Sequence, residues 1–256
     1  MQRQVPVDNA DLCGRVVVIT RPAGTAATLA RRVRDLGGVS LLLPGLSLRG
    51  VADQAGARKD LQAALQDDVL VFASPAAVRF AAALAPLQTA AIVLAVGQGT
   101  ARALRRHGMR MPLAPSQQDS EGLLEHPALQ DLRGRRVGLI GAPGGRGLLR
   151  EQIAARGACL HELHVYRRMA PRLDRRHVDA LLQLPLSAQV LLSSAEALHN
   201  LHRLLPDAAW ARLCAATAVV SSERLAALAR ASGFSHIVLA SSALSADLLG
   251  AAVRAD

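Results

Sequence analysis

The sequence predicts an α/β protein made of two similar doubly wound parallel-sheet domains, and three observations lead to this fold class. Short continuous apolar runs alternate with amphipathic segments that end near a glycine, a pattern typical of β-strands followed by helices. Strands followed by hydroxyl residues occur in the same order in both halves of the chain. Two extended segments with no helix directly behind them interrupt the alternation and divide the chain into domains.

Seven strand–turn–helix units account for most of the chain. The first, RVVVITRPAGTAATLARRVRDLGG, has an apolar strand, a small-residue turn and a helix that ends at glycine. The predicted units span 15–38, 68–84, 91–108, 136–157, 189–205, 217–233 and 236–253. Because their strands are apolar throughout rather than alternating, we expect helices on both faces of a parallel sheet with right-handed crossovers.

The two halves of the chain resemble each other in the residues that follow their strands. In the first half, Ser74 follows one strand, Thr100 follows the next, and Ser120 opens a helix. In the second half the same order is kept by Ser194, Ser222 and Ser245. The repeat is weak, but it predicts two α/β domains of similar construction.

Two segments break the alternation of strand and helix. SLLLPGLSLRG (40–50) is an extended apolar run interrupted by Pro44-Gly45, and ACLHELHVYRRMAP (158–171) alternates apolar and polar residues up to a proline. If these two strands pair as a ladder, the chain leaves one domain through the first and returns through the second. The first domain would then be discontinuous, consisting of 1–44 plus 172–256, with 50–166 inserted.

The composition excludes several classes of function. The 256 residues carry a formal charge of +10, and aromatic residues make up only 2%, which leaves almost no surface for base stacking. No apolar run approaches the ~20 residues of a membrane helix, and the N-terminal residues lack an apolar signal core. Three cysteines without CxxC spacing fit a reducing compartment. We therefore expect a cytoplasmic protein with no membrane partner.

The excess of basic residues favours an anionic partner. Of the 30 basic residues, all except Lys59 are arginines, whose planar forks match carboxylate and phosphate geometry. A positive field also speeds the capture of a polyanion. Nucleic acid is one alternative, but the arginines are spread over all the predicted helices rather than gathered in one stripe. We expect no nucleic-acid partner.

The turns after the strands are rich in glycine and hydroxyl residues, which leaves backbone N–H groups at helix starts open to anions. VGQGT (96–100) is an example, but it lacks the Lys-Ser/Thr of a phosphate loop and the third glycine of a dinucleotide site. The alternative is that Ser and Thr here are ordinary helix N-caps. The candidate substrate-binding residues are Thr20, Arg21, Ser74, Pro75, Ala76, Gly97, Gly99, Thr100, Ser120, Gly144, Gly145, Arg146, Ser193, Ser194, Ser221, Ser222 and Arg224.

Cofactor and metal chemistry have weak support in the sequence. No Asp or Glu ends a strand in the manner of a Mg²⁺ site, which argues against phosphoryl transfer. Glu196, His199 and His202 could share a helical face, so a zinc site there is an alternative to a plain solvated face. We expect no metal and no cofactor.

The motifs, taken in order, resemble those of one family. They are VVVITRP, VFASPAAV, AVGQGTARAL…HG, SEGLL, GGRGLLREQIAARGA, VYRR, LLSSAEAL and VVSSERLAALARASGF. Their order and spacing resemble the uroporphyrinogen-III synthase family from about Gly14 to Val253. The resemblance implies two α/β domains, one of them flavodoxin-like, joined by a two-stranded β ladder with the active site in the cleft between them. The chain departs from many bacterial members at Gly141-Ala142, where they carry Arg-Gly.

The resemblance also implies a lyase reaction. The linear tetrapyrrole hydroxymethylbilane is dehydrated and closed with inversion of ring D, and the product, uroporphyrinogen III, leads to haem, sirohaem and cobalamin. The expected partner is therefore a small-molecule octacarboxylate, and we expect the protein to act as a monomer. The alternative is a bilobed binding protein for an anionic small molecule, without catalysis.

Tyr166 is the candidate catalytic residue. It is the only tyrosine and lies in VYRR, on the strand that returns from the inserted domain. A phenol is a hydrogen-bond donor at neutral pH and could assist departure of the terminal hydroxyl of the bilane. In the alternative interpretation, the ring packs against the domain interface and its hydroxyl lies in water.

Overall fold

The alternation of strands and helices is present in the computed structural model, which describes residues 11–117, 119–145 and 147–255. The strands are β1 Val16–Ile19, β2 Val39–Leu42, β3 Ser47–Gly50, β4 Val69–Phe72, β5 Ile92–Ala95, β6 Arg136–Gly141, β7 Cys159–His164, β8 Tyr166–Met169, β9 Gln189–Leu192, β10 Thr217–Val220 and β11 Ile237–Leu239. The helices are α1 Ala27–Asp35, α2 Gln54–Ala64, α3 Pro75–Leu84, α4 Gln98–Arg106, α5 Ser120–Leu124, α6 Gly147–Ala155, α7 Arg175–Leu182, α8 Ala195–Leu204, α9 Asp207–Cys214, α10 Glu223–Ala231 and α11 Ser245–Arg254.

All seven predicted strand–turn–helix units are present, each with its strand and its helix. Strands β4 and β9 are buried along their whole length, as their continuous apolar runs predict. The chain leaves α4 through Gly108 at φ +90° and α10 through Gly233 at φ +105°. These are left-handed backbone values that favour glycine, so the glycines end these helices where the sequence predicts. Helices α2, α5, α7 and α9 lie outside the seven units.

The structure divides into two units, and the first comprises Met1–Ser47 and Met169–Asp256. Its sheet has the parallel order β2-β1-β9-β10-β11. Counted along the chain within this unit, the order is 2-1-3-4-5, which is that of flavodoxin-like doubly wound sheets. One face packs on α1 and α11 around Leu29 and Leu248, and the other packs on α8 and α10 around Leu198 and Leu225.

The second unit comprises Leu48–Arg168. Its sheet has the parallel order β5-β4-β6-β7, which is 2-1-3-4 when counted in the same way. Helices α2, α3 and α4 cover one face around Phe72, whereas α5 and α6 cover the other around Leu123 and Ile153. The two units therefore share the order of their first four strands, as the repeat in the sequence indicates.

Each of the two segments predicted as crossing strands, 40–50 and 158–171, forms two short strands. The first segment breaks at Pro44-Gly45 into β2, which pairs with β1, and β3. The second breaks at Val165 into β7, which pairs with β6, and β8. Only the second strand of each segment takes part in a two-stranded sheet, of order β3-β8. The chain passes from one unit to the other within β3 and β8.

Within the part of the chain that the structure describes, no helix has both the length and the apolar character needed to cross a membrane.

The three cysteines differ in exposure, and this leads to a test of the fold. Cys13 and Cys159 are exposed, whereas Cys214 is buried, and burial raises the pKa of its thiol to about 11. Because the thiolate is the reactive form, we expect two thiols of the native protein to react quickly with an aromatic disulfide reagent at pH 8. The third should react only after unfolding. Three equally fast thiols in the native protein would contradict the packing of Cys214.

Candidate active site

The carboxyl ends of parallel strands meet at one edge of each sheet, and ligands of open α/β sheets bind there, where the strand order reverses. In the first unit the reversal lies between β1 and β9, so the loops that begin at Thr20 and Ser193 flank it. In the second unit it lies between β4 and β6, flanked by the loops after Phe72 and Gly141. Predicted site residues therefore lie at the reversal point of both sheets.

Two serines at the edge of the first unit are helix N-caps. Ser194 Oγ accepts a hydrogen bond from Ala197 N at 3.2 Å, and Ser222 Oγ accepts one from Leu225 N at 3.3 Å. Each bond uses an oxygen lone pair and leaves the hydroxyl proton for a further acceptor. The capping alternative is thus correct for these residues, and it does not prevent them from donating to an anion.

Arg21 connects two loops at the same edge. Its guanidinium donates to the Ala243 carbonyl at 3.1 Å, and its Nε is buried without a hydrogen-bond partner in the described residues. Burial lowers the pKa of Arg21 from its ordinary value, but an arginine stays charged at neutral pH. Ser193 and Ser221 are half-buried directly after their strands, and Arg224 is exposed in the first turn of α10. The edge is therefore built from hydroxyls and guanidinium groups.

Three predicted residues have side chains that are turned inward. Thr20 is buried, and its hydroxyl donates to the Leu191 carbonyl at 2.7 Å, which ties β1 to β9. Thr100 is buried within the first turn of α4, and Ser120 is buried at the start of α5, whose N-cap is Asp119. A hydroxyl after a strand can point inward or outward, and the sequence pattern does not separate the two orientations.

Tyr166 lies beside Ser74 at the edge of the second unit. The two side-chain oxygens are 3.2 Å apart, and Ser74 Oγ also accepts a hydrogen bond from Ala77 N at 3.0 Å. The Tyr166 ring is buried and stacks on Phe80, with ring centroids 5.3 Å apart and planes within 14°. Its hydroxyl therefore has a protein partner, contrary to the alternative that places it in water.

The start of α4 lies next to the start of α3. Its N-cap is Gly97, which has no side chain to cap the helix, and a Cβ added to Gly99 would lie 3.6 Å from Pro75. Gly97 occupies the place in its unit that Ser222 occupies in the other, two residues beyond the strand. The sequence comparison that aligned Thr100 with Ser222 is therefore wrong in register.

The loop between β6 and α6 completes this edge. It turns at Gly144, whose φ of +69° favours glycine, and Gly145 follows half-buried. Ala142 is buried, and Arg168 donates to the Pro143 carbonyl at 3.2 Å. A guanidinium from β8 thus lies over the loop that carries no arginine at 141–142. Arg146, a predicted binding residue, lies outside the described residues.

Phe80 and Arg168 are two residues of this site that the sequence analysis missed. Arg168 is two residues beyond Tyr166 on one strand, so strand alternation puts both on the same face. Phe80 is half-buried on the face of α3 that carries the buried Ala77 and Ala81, and no local pattern links it to Tyr166. In the described residues, no group of three or more His, Cys, Asp or Glu side chains could hold a metal ion. His202, one of the residues of the zinc alternative, stacks on Trp210.

The fold defines an open α/β protein of two parallel-sheet units, each with a candidate ligand-binding edge where helix starts and arginines lie. The chain belongs to the uroporphyrinogen-III synthase family, because the family model described as uroporphyrinogen-III synthase HemD matches residues 27–250. The resemblance inferred from the sequence motifs is therefore confirmed.

Two relatives are similar to nearly the whole chain. The uroporphyrinogen-III synthase of Escherichia coli (strain K12) is 32% identical over 242 residues, which cover 89% of this chain and 95% of that protein. The enzyme of the same name from Salmonella typhimurium is 34% identical over 245 residues, with the same coverage of 89% and 95%.

Solved structures support the fold. A crystal structure of a mutant uroporphyrinogen III synthase from the extremely thermophilic bacterium Thermus thermophilus matches with a TM-score of 0.57 at 22% identity, covering 92% of this chain and 96% of that one. The uroporphyrinogen-III synthetase of Helicobacter pylori 26695 matches with a TM-score of 0.59 at 14% identity, covering 92% and 97%. At these identities the likeness concerns the fold.

The inward hydroxyl of Thr20 should matter for stability. Replacing Thr20 by Val keeps the shape but leaves the buried Leu191 carbonyl without this donor. We expect the free energy of unfolding to fall by about 1–3 kcal/mol. The control is Thr28→Val, on the exposed side of α1, which should stay within about 0.5 kcal/mol of wild type. Urea unfolding measures both, and equal values for the two variants would show that the Thr20 hydroxyl does not stabilise the sheet.

Proposed function

We propose that this chain closes hydroxymethylbilane to uroporphyrinogen III with inversion of ring D. Membership of the family supports the reaction, and the single structural observation that carries the proposal is the pairing of Tyr166 with Ser74 at the strand-order reversal of the second unit. That pairing holds a neutral donor where open α/β sheets bind ligands. We further propose that the carboxylates of the substrate bind at these edges of the sheets.

The anion that suits these edges is carboxylate. The substrate carries eight, the acetates and propionates around four pyrroles, and scattered small donors fit many small anions better than one deep phosphate pocket does. The Ala76 N–H in the first turn of α3, the uncapped start of α4 at Gly97 and Gly99, and the turn at Gly144 and Gly145 are such donors. An octacarboxylate substrate therefore explains the excess of arginines without a nucleic-acid partner.

In the first unit, the edge at which the strands end supplies hydroxyls and guanidinium groups. We propose that Ser194, Ser222 and Arg21 bind carboxylates through their side chains, together with Ser193, Ser221 and Arg224. Arg146 of the other unit, which lies outside the described residues, stays a predicted binding residue. For Thr20, Thr100 and Ser120 only the backbone stays a candidate, because their side chains are buried.

The proposed reaction begins with loss of the terminal hydroxyl. Tyr166 donates a proton to that oxygen as the C–O bond breaks, water leaves, and the pyrrole electrons form an azafulvene. Ring D then attacks through its substituted carbon to give a spiro intermediate, which fragments and recloses at the free carbon of ring D. The proton lost from that carbon restores the tyrosine, so the sum of the steps is loss of one water.

Catalysis here depends as much on folding the substrate as on proton transfer. In water the bilane closes at the free carbon of ring D and gives the uninverted isomer. The protein must therefore hold ring D so that its substituted carbon meets the azafulvene, and fixing several carboxylates at once achieves this orientation. Isomer III rather than isomer I is the mark of the proposed activity.

A binding protein without catalysis is the competing function, and the same assay separates the two. Hydroxymethylbilane is incubated with the purified chain, the products are oxidised, and the porphyrin isomers are separated. We expect isomer III, whereas the sample without protein should give isomer I. Isomer I alone, at the rate seen without protein, would overturn the proposed function.

The monomeric state and the cytoplasmic location stay predictions.

Tyr166→Phe removes the proposed donor and keeps the ring that stacks on Phe80. Proton-transfer assistance is typically worth about 10²–10⁴-fold, and we expect a loss in kcat at or below the low end because the pyrroles themselves drive departure. Thermal stability should change little, and the product should remain isomer III. A variant with full kcat would assign Tyr166 a structural role.

Arg21→Ala should raise KM more than it lowers kcat if Arg21 only binds substrate. Wild-type KM should also rise with salt, since exposed ion pairs are screened within about 10 Å at 0.1 M ionic strength. Arg31→Ala, which removes an exposed charge from α1, is the matched control and should leave KM close to wild type. If KM changes neither with salt nor in Arg21→Ala, backbone amides alone recognise the substrate.

A further inference from the structure

We propose that Ser74 is a positioning residue that directs the Tyr166 proton toward the leaving group, as the middle member of a hydrogen-bond chain that starts at helix α3. The role differs from the direct substrate contact that the sequence suggests for Ser74. It rests on the proposed function, because Tyr166 must act as the donor.

The hydrogen-bond chain consists of two consecutive hydrogen bonds. Ala77 N–H donates to Ser74 Oγ at 3.0 Å, and Ser74 Oγ lies 3.2 Å from the Tyr166 hydroxyl. Among the residues that the structure describes, no other side chain or backbone group pairs with either hydroxyl. The Ser74 proton therefore has one protein acceptor within reach, the oxygen of Tyr166.

The 3.2 Å contact allows either hydroxyl to donate, and the position of Ser74 at the start of α3 favours donation by Ser74. Its oxygen receives the Ala77 N–H at the positive end of a ten-residue helix, so its own proton is directed away from that end and toward Tyr166. The Tyr166 oxygen then accepts from Ser74, and its proton is left for the substrate. Bonds aligned in one direction polarise one another, so each donor in the chain strengthens the next.

Helix α3 supplies both contacts that hold Tyr166. Pro75 occupies the first helical position, where its missing N–H costs nothing, and the Ser74 cap is made to Ala77. Phe80, one turn further along the helix, stacks on the Tyr166 ring. The ring plane is thus fixed from α3 as well, which leaves rotation of the hydroxyl as the freedom that Ser74 controls.

The hydrogen-bond chain also stabilises the charge that develops during the reaction. As Tyr166 gives its proton to the leaving oxygen, negative charge develops on the phenol oxygen. The Ser74 hydroxyl donates to that charge, and the start of α3 stabilises it through Ser74. The donor contact strengthens in the transition state, so its loss should lower kcat and leave KM nearly unchanged.

Four variants test this role. Ser74→Ala removes both bonds, and we expect kcat to fall about tenfold with KM within about twofold. Ser74→Thr keeps the cap and the donor, so it should restore most of kcat. Ser74→Asp keeps the cap but can only accept from the phenol, so it should fold and be at least as impaired as Ser74→Ala. In Ser74→Ala/Tyr166→Phe, kcat should equal that of Tyr166→Phe within about twofold.

A matched control comes from the same unit. Thr89 Oγ1 accepts from Ala91 N at 3.0 Å and donates to the Leu65 carbonyl at 2.6 Å, just before β5 and hence at the amino edge of the sheet. Thr89→Ala loses the same two kinds of bond as Ser74→Ala. It should lower the melting temperature to a similar extent and keep kcat close to wild type.

Spectroscopy gives a readout that does not depend on activity. Tyr166 is the only tyrosine, so a shift of the tyrosine absorption band between wild type and variant reports on this one hydroxyl. Trp210, the only tryptophan, packs on His202 and Phe234 and should contribute equally to both spectra. We expect a band shift for Ser74→Ala and none for Thr89→Ala.

The outcomes separate the two proposals. A wild-type protein that forms no isomer III overturns the proposed function, and with it this role of Ser74. If the wild type is active, an unshifted tyrosine band in Ser74→Ala overturns the Ser74 role alone. So does a tenfold further loss of kcat when Ser74→Ala is added to Tyr166→Phe, because Ser74 would then act without Tyr166.

Discussion

Parallel strand pairing is the constraint on which the rest of the structure depends. Because neighbouring strands run in one direction, every strand of a sheet ends at the same edge, and every following helix begins there. The positive helix ends, the small-residue turns and the serine caps are gathered by this geometry alone. No long-range specificity is needed to collect them, which explains how a sequence with weak local motifs still gathers helix starts and hydroxyls at one edge of each sheet.

Capping and binding use different parts of the same hydroxyl group. The oxygens of Ser74, Ser194 and Ser222 accept from the third amide of their helices, which satisfies a donor that would otherwise lack a partner. The proton of each hydroxyl is left for another acceptor. A hydroxyl that caps a helix can therefore still donate to a ligand at this edge, so stability and the proposed recognition do not compete at these positions.

The fold was more predictable from the sequence than the site was. The seven strand–helix units follow from local periodicity and from glycines such as Gly108, which needs its positive φ. The Pro44-Gly45 break was visible in the sequence, but which strand would pair with β1 was not. The inward turn of Thr20 depends on the carbonyl of Leu191, which belongs to another strand. Such choices are made by tertiary contacts, which periodicity does not contain.

The contact between Ser74 and Tyr166 shows why a site of this kind is difficult to detect in sequence. The two residues are 92 positions apart, and each has a sufficient local explanation, one as a cap and the other as a buried ring. In the proposed reaction the substrate supplies its own electrons from the pyrroles, so no strong acid, metal or nucleophile that would leave a recognisable motif is required. The proposal requires only a weak donor held in one direction. Ordinary residues provide that through packing on Phe80 and a bond to a helix cap, and only the folded chain brings them together.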